Sequence, residues 1–357
     1  MCERLRRPHT PHPPLFFEKI LVLQGDFMKI GAWIHSGGGI SLDRQISLAA
    51  GNGLGSVRSY SFDYARGVAP ALRQHGMSLL GGIHVDGQEL LRDWRSQVRL
   101  DELAAYHKLD VPLDAICAGN ELREGGDEPE KKQFTAALSE GLANVLRTYR
   151  CWLDEHGYAT PLTYAMEGIV FDEKGYFHEW LWPLIEACDV VGVNLYPMDA
   201  AGWFTFGAFE ESRRFLLDTR IRRERLADYE ARFRVLLEQL NKAHKPLILT
   251  ETGFPSAVGY HREGERLVVP ESDNERYAAA MQEFLALIKR LDDEYGNPIR
   301  GLYFYEWRDN LYHDKIWNVE GSPIHVAFGL CDRFGTPKFD LRPLVNNLSR
   351  PPSKPTP

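Results

Sequence analysis

Two acidic residues each close a short apolar run. Glu251 comes at the end of a run in LILTETGFPS, which Gly253 and Pro255 then stop, and Glu121 follows Asn120 in DAICAGNE. A buried strand that finishes on a carboxylate holds it rigidly, and rigidity matters because a misplacement of about 1 Å can cost on the order of 100-fold in rate. Two carboxyl groups held about 5–5.5 Å apart can cleave a glycosidic bond with retention: one protonates the departing oxygen while the other attacks the anomeric carbon. Either acid alone reads equally well as a solvated strand end or the partner of an arginine. Their neighbours shift that balance. Asn120 can hydrogen-bond a sugar 2-hydroxyl, and the hydroxyl of Tyr196 can orient a nearby carboxylate and keep it ionised.

Other strand ends carry further candidates for substrate binding. These are Arg58 and Tyr60, His35, His84, and Asn194 in the run NLYP. The last apolar run ends Tyr305-Glu306-Trp307. Glu167 and Glu306 are rival carboxylates; Glu306 reads as an ion-pair partner of Arg308 or Arg58, or as a ligand of a sugar hydroxyl. A third acid near Glu121 would raise its pKa by like-charge repulsion and help it stay protonated. Trp307, Phe254 and the loop residue Trp203 are candidates for stacking on sugar rings, although loop aromatics more often pack locally. A metal-dependent amidohydrolase would need His-x-His in the first strand, where the sequence is His35-Ser36-Gly37. A phosphate-binding barrel would need Gly-rich turns that Gly253 alone does not supply. No metal or cofactor is expected.

Elements must hold these side chains together. Apolar runs start at Lys29, Gly55, Met77, Asp114, Pro161, Asp189, Pro246 and Gly301. Each is near-continuously apolar, as strands covered on both faces should be. Amphipathic stretches lie between them. Phe134, Leu138, Leu142, Val145, Tyr149, Trp152 and Leu153 recur at spacings of three and four, predicting a helix over 131–156 that Gly157 stops. Two more helices are expected over 222–243 and 274–295. Eight strand–helix units without a Gly-rich dinucleotide fingerprint predict a single (β/α)8 TIM barrel, whose open face lies at the C-terminal ends of the strands.

The chain has 357 residues, enough for one such barrel with long loops. A net charge of −8 argues against nucleic acid or an anionic membrane as partner, and does not identify a substrate. The five cysteines are odd in number and widely spaced, which suits free thiols in a reducing compartment and favours the cytoplasm. Residues 1–27 read as a disordered or non-native extension, 28–348 as the barrel and 349–357 as a Pro-rich disordered tail. Met28 reads as the natural start. Oligomeric state is not legible.

The same residues resemble a known family. The chain is similar to clan A glycoside hydrolases, and most of all to glycoside hydrolase family 17, the β-1,3-glucanases and β-1,3-glucanosyltransferases. ETGFPS resembles that family's ETGWPS-type motif with Phe254 in the Trp position, and AGNELREGG resembles its VGNE segment. VRSYSFDY, VGVNLYP and HVAFGLCDRFGTPK resemble further family segments, so the likeness spans about residues 29–339. It implies a retaining β-glycoside hydrolase acting on a β-glucan oligo- or polysaccharide, with Glu121 as acid/base and Glu251 as nucleophile. Asn120, Tyr60 and Tyr196 become their supports. YEWRDN and the charged segment RIRRERLADYEARFR depart from the family pattern and put linkage and chain-length preference in doubt. A transglycosylase, a clan A hydrolase of mannan or galactan, and a non-catalytic carbohydrate-binding barrel are the rival readings.

Overall fold

All eight apolar runs form strands. In the computed structural model, which describes residues 28–36, 39–124, 134–197, 209–263, 267–311 and 326–349, they are β1 (Lys29–Trp33), β2 (Ser56–Arg58), β3 (Ser78–Ile83), β4 (Leu113–Asn120), β5 (Leu162–Met166), β6 (Val191–Asn194), β7 (Leu247–Thr252) and, after a hairpin described below, β10 (Ile299–Phe304). They pair in parallel around a closed barrel, and β10 returns to β1 with Lys29 opposite Gly301. The expected (β/α)8 TIM barrel is therefore the fold. Closure removes both sheet edges and brings all eight C-terminal ends to one mouth.

Helices alternate with the strands: α1 (Leu42–Gly51), α2 (Phe62–His75), α3 (Gly87–Arg92), α4 (Leu100–Tyr106), α5 (Ala136–Glu155) and α6 (Trp182–Ala187). They continue with α7 (Phe209–Leu217), α8 (Thr219–Lys242), α9 (Asn274–Glu294) and α10 (Arg342–Leu348). Short polar side chains start several of them. Ser41, Ser61, Thr135 and Asp273 each accept a hydrogen bond from a backbone N–H of the first turn, satisfying a donor that the helix cannot. The helix expected from 131 begins at Ala136, because Thr135 caps it there. Leu138, Leu142, Val145, Tyr149 and Leu153 of its apolar stripe are buried.

The barrel interior is filled by Leu80, Ala115, Val190, Ile248 and Tyr303. The Tyr303 ring fits because Gly31 lies beside it; a Cβ there would come within 2.7 Å of the ring. Its hydroxyl, with those of Ser56 and Ser78, donates to Asp114 Oδ2 near the strand starts, so the polar end of the plug is satisfied. Cys117, Cys188 and Cys331 are buried free thiols. Among the described residues no helix is long and apolar enough to cross a membrane.

One element was not expected. After β7 the chain forms an antiparallel hairpin, β8 (Ala257–Glu263) with β9 (Leu267–Ser272). Charged residues and Pro270 interrupt these runs, so they carry little strand signal, and Pro is tolerated here because the ladder has only two strands.

Candidate active site

Glu251 sits one residue before the end of β7, opposite Asn194 of β6 in the strand register. It is 6% exposed and held from three sides. Tyr60, just beyond β2, donates to Oε1 at 2.7 Å, and Tyr196, just beyond β6, donates to Oε2 at 2.7 Å. The buried Arg58 guanidinium approaches Oε1 at 2.7 Å. Burial first, and then the Glu251 charge, push both tyrosine hydroxyls up, against the pull of Arg58 at Tyr60, so both remain donors. A carboxylate with a cation and two hydroxyls on it is fixed in orientation.

Glu121 is delivered differently. The β4–β5 register slips between Cys117 and Asn120, Gly119 takes φ +84°, and Glu121 itself takes φ +48°. A left-handed conformation is uncommon for glutamate and is kept only where the surroundings hold it. Here the Glu121 N–H is bonded to the Ala165 carbonyl of β5 and the Leu122 N–H to the Tyr164 hydroxyl. The strand end is thereby turned so that the Glu121 carboxyl meets Asn194, whose Nδ2 donates to Oε1 at 2.7 Å. Loss of solvation, then the charge of Glu251, then that of Glu167 raise the Glu121 pKa well above the ordinary carboxylate range, with Asn194 and Arg123 opposing. Glu121 is thereby pushed toward its protonated form, beside a Glu251 carboxyl gripped by a guanidinium and two hydroxyls.

A chain of side chains joins the two. Arg58 Nη2 donates to Asn120 Oδ1 at 2.7 Å, and Asn194 Nδ2 donates to the same oxygen at 3.2 Å and to Glu121. The Thr250 hydroxyl donates to Asn194 Oδ1 at 2.6 Å, which fixes which way that amide faces. With its oxygen used twice, Asn120 has its NH2 left to donate to a ligand. Beside it opens a space of about 240 Å³ bordered by Arg58, Tyr60, His84, Cys117, Gly119 and Asn120.

The structure thus brings Glu121, Glu251, Asn120, Tyr60, Tyr196, Arg58 and Asn194 together, with exposed His84 at the edge. Several roles change. Arg58 and Asn194 were expected to touch sugar, but at 1% and 0% exposure they act on the carboxylates instead, while Tyr196, 3% exposed, donates to Glu251. Glu306 and Trp307 are wholly buried and His35 is 6% exposed, so they offer a sugar almost no surface. His35 Nε2 lies 3.1 Å from the Arg308 carbonyl oxygen and 3.8 Å from Glu306 Oε2. Beyond Glu251, the acid whose charge raises the Glu121 pKa is Glu167. Phe254 points out of the barrel into the helix layer, with ring centroids 5.0 Å from Phe215 and 5.4 Å from Tyr277. Trp203 lies outside the described residues.

The placement of Phe254 makes a prediction. Phe254→Ala removes a core ring and costs about 3–5 kcal/mol of stability, read from urea unfolding. A raised KM with unchanged unfolding would return the residue to the sugar.

Three contributors were not read from the sequence. Tyr305 keeps part of its surface open, and its ring packs 5.7 Å from Phe328, close enough to both catalytic candidates to feel their charges. Arg123 pairs with Glu167. Lys338 is buried and donates to Asp309 Oδ1 at 2.6 Å and to the Ser256 hydroxyl at 2.7 Å, tying the segment after β7 to that after β10. Only Tyr305 left a signal, its place in the run YEW.

No protein-family model matches the chain, and no curated protein matches it. Solved structures do. An endo-laminarinase from Formosa Hel1_33_131 is 17% identical, with 91% of this chain and 89% of that one covered and a TM-score of 0.61. A β-D-glucuronidase from Dictyoglomus thermophilum is 17% identical over 91% of this chain, TM-score 0.57, and one from Lactobacillus rhamnosus is 17% identical over 90%, TM-score 0.57. The likeness is one of fold. The chain spans about half the length of the two glucuronidases, 51% and 49%.

Proposed function

We propose that this protein is a retaining β-glycoside hydrolase acting on a β-glucan, with β-1,3 the favoured linkage. The observation that carries the reading is the single hydrogen-bonded network running from Glu251 through Arg58, Asn120 and Asn194 to Glu121. It joins, at one mouth, a carboxyl gripped by a cation and two hydroxyls to one that burial and like charge push toward protonation, which supports the division of labour that double displacement needs.

The ionised Glu251 attacks the anomeric carbon, and the glycosidic C–O bond breaks as Glu121 passes its proton to the departing oxygen. The product is a glycosyl ester on Glu251. Glu121, now ionised, takes a proton from water; the resulting hydroxide oxygen bonds the anomeric carbon and the ester C–O bond breaks, restoring both groups. In this reading the Asn120 NH2 donates to the sugar 2-hydroxyl. Tyr305, in place of the buried Trp307, offers the ring against which the sugar lies. The glucan assignment leans on the ETGFPS and VGVNLYP resemblances and sits well with an endo-laminarinase among the similar structures.

Product analysis on glucans of defined linkage tests this. β-1,3-Glucan should release reducing ends, and NMR should show the β-anomer forming first. An α-anomer formed first overturns double displacement. Cleavage of mannan or galactan alone moves the substrate, longer products mean transfer to a sugar hydroxyl, and binding without release or transfer means a non-catalytic barrel.

A further inference from the structure

The loop after β4 and the end of β5 are clamped by one ion pair. Arg123 donates from Nε to Glu167 Oε1 at 2.6 Å and from Nη2 to Oε2 at 2.5 Å, and Glu167 is 2% exposed. Glu121 stands within this clamp. It lies two residues before Arg123, and its backbone N–H is bonded to Ala165, two residues before Glu167. Apolar residues of similar volume usually stabilise a fold as well as a buried ion pair does, so stability alone does not account for full charges here.

We propose that Glu167, held ionised by Arg123, keeps the proton on Glu121 and so sets the alkaline limit of turnover, acting as a positioning residue for the acid step. The inference rests on the reading of Glu121 as the acid.

Among the described residues, the titratable groups facing Glu121 are Glu251 of β7, Glu167 and Tyr164 from β5, Arg123 from its own loop, Tyr196 after β6 and Tyr305 after β10. Burial pushes all three tyrosines up, so they stay neutral. The charges that remain are Glu251, Glu167 and Arg123. Glu251 loses its charge once it becomes an ester, whereas Glu167 forms no covalent bond in the cycle and stays paired with Arg123. In the second half-reaction Glu167 is the anion still beside Glu121, and it keeps that carboxylate basic enough to take the proton from water.

Glu167→Gln preserves shape, removes the negative charge and leaves Arg123 in place. The alkaline limb of kcat/KM should then move down by about one pH unit or more, as expected when a like charge acting on a buried carboxyl is removed. The Glu121 carboxyl, followed by carbon NMR in glutamate-labelled protein and identified by its loss in Glu121→Gln, should titrate lower by the same amount. The double variant Arg123→Gln/Glu167→Gln removes both charges, and its limb should fall between wild type and Glu167→Gln. If Glu167→Gln does not fold, a limb lowered in the double variant relative to wild type supports the proposal. An unmoved limb and titration, with only rate or stability lost, overturn it and leave a structural clamp. A wild-type protein that cleaves no glycoside sinks the functional reading instead, while the NMR titration still decides whether Glu167 acts on Glu121.

Discussion

Glu251→Ala should lower kcat on the order of 10⁵-fold or more, because the proposed double displacement would lose its nucleophile. At about 1.4 kcal/mol per tenfold, that is roughly 7 kcal/mol of barrel-mouth chemistry resting on one side chain. The truncation leaves a hole where the carboxylate stood, with Arg58, Tyr60 and Tyr196 still pointing into it. A small anion fits such a hole. Added azide should restore part of the turnover and yield the α-glycosyl azide, since it attacks from the face that Glu251 occupied. Unchanged turnover in this variant would remove Glu251 from the reaction, and an azide of β configuration would assign it the other role. Circular dichroism should show the barrel intact, because the lost group lies at the mouth and not among the packed interior residues.

Replacing the other carboxyl has a different signature. Glu121→Gln should cost about 10²–10⁴-fold on a substrate whose leaving group needs a proton. The loss should be much smaller in the glycosylation of an activated aryl glycoside, whose leaving group does not need one. In the wild type the acid must carry its proton, and burial followed by the charges of Glu251 and Glu167 raise the pKa at which that proton is lost. Activity should therefore fall as pH rises through that raised value, and the fall should vanish in Glu121→Gln, which has no proton to lose. In Glu121→Ala, azide should intercept the glycosyl ester and give the β-glycosyl azide. A wild-type alkaline limb that survives in Glu121→Gln would assign the acid to another group.

The two azide products separate the carboxyls. Each variant names the face from which the anion arrives, so the pair of experiments assigns both roles independently of overall rate.

Much of this site was legible from residue types at strand ends. Glu121 and Glu251 stand out because apolar runs seldom finish on acids, and Asn120, Tyr60 and Tyr196 follow from their places on other strand ends. The misreadings share a cause. Phe254 and Trp307 read as sugar platforms because they follow strand ends that carry acids, yet side-chain direction past a strand depends on the backbone turn. Gly253 has φ +133°, and Phe254 beyond it enters the helix layer among Phe215, Tyr277 and Phe284. Arg123 and Glu167 were invisible as a pair because 44 residues separate them and a charged residue in a loop ordinarily reads as solvated.

By itself the sequence determined the eight strands, their burial on both faces, and that Glu121 and Glu251 close two of them, since apolar continuity and strand ends are local properties. Which of those residues touch one another was decided only when the barrel closed. Arg58 meets Glu251 across 193 positions, and Asn194 meets Glu121 across 73. Contacts at such separations, and the left-handed turn at Glu121 that they hold in place, depend on packing from several strands at once, and no local stretch of sequence encodes that.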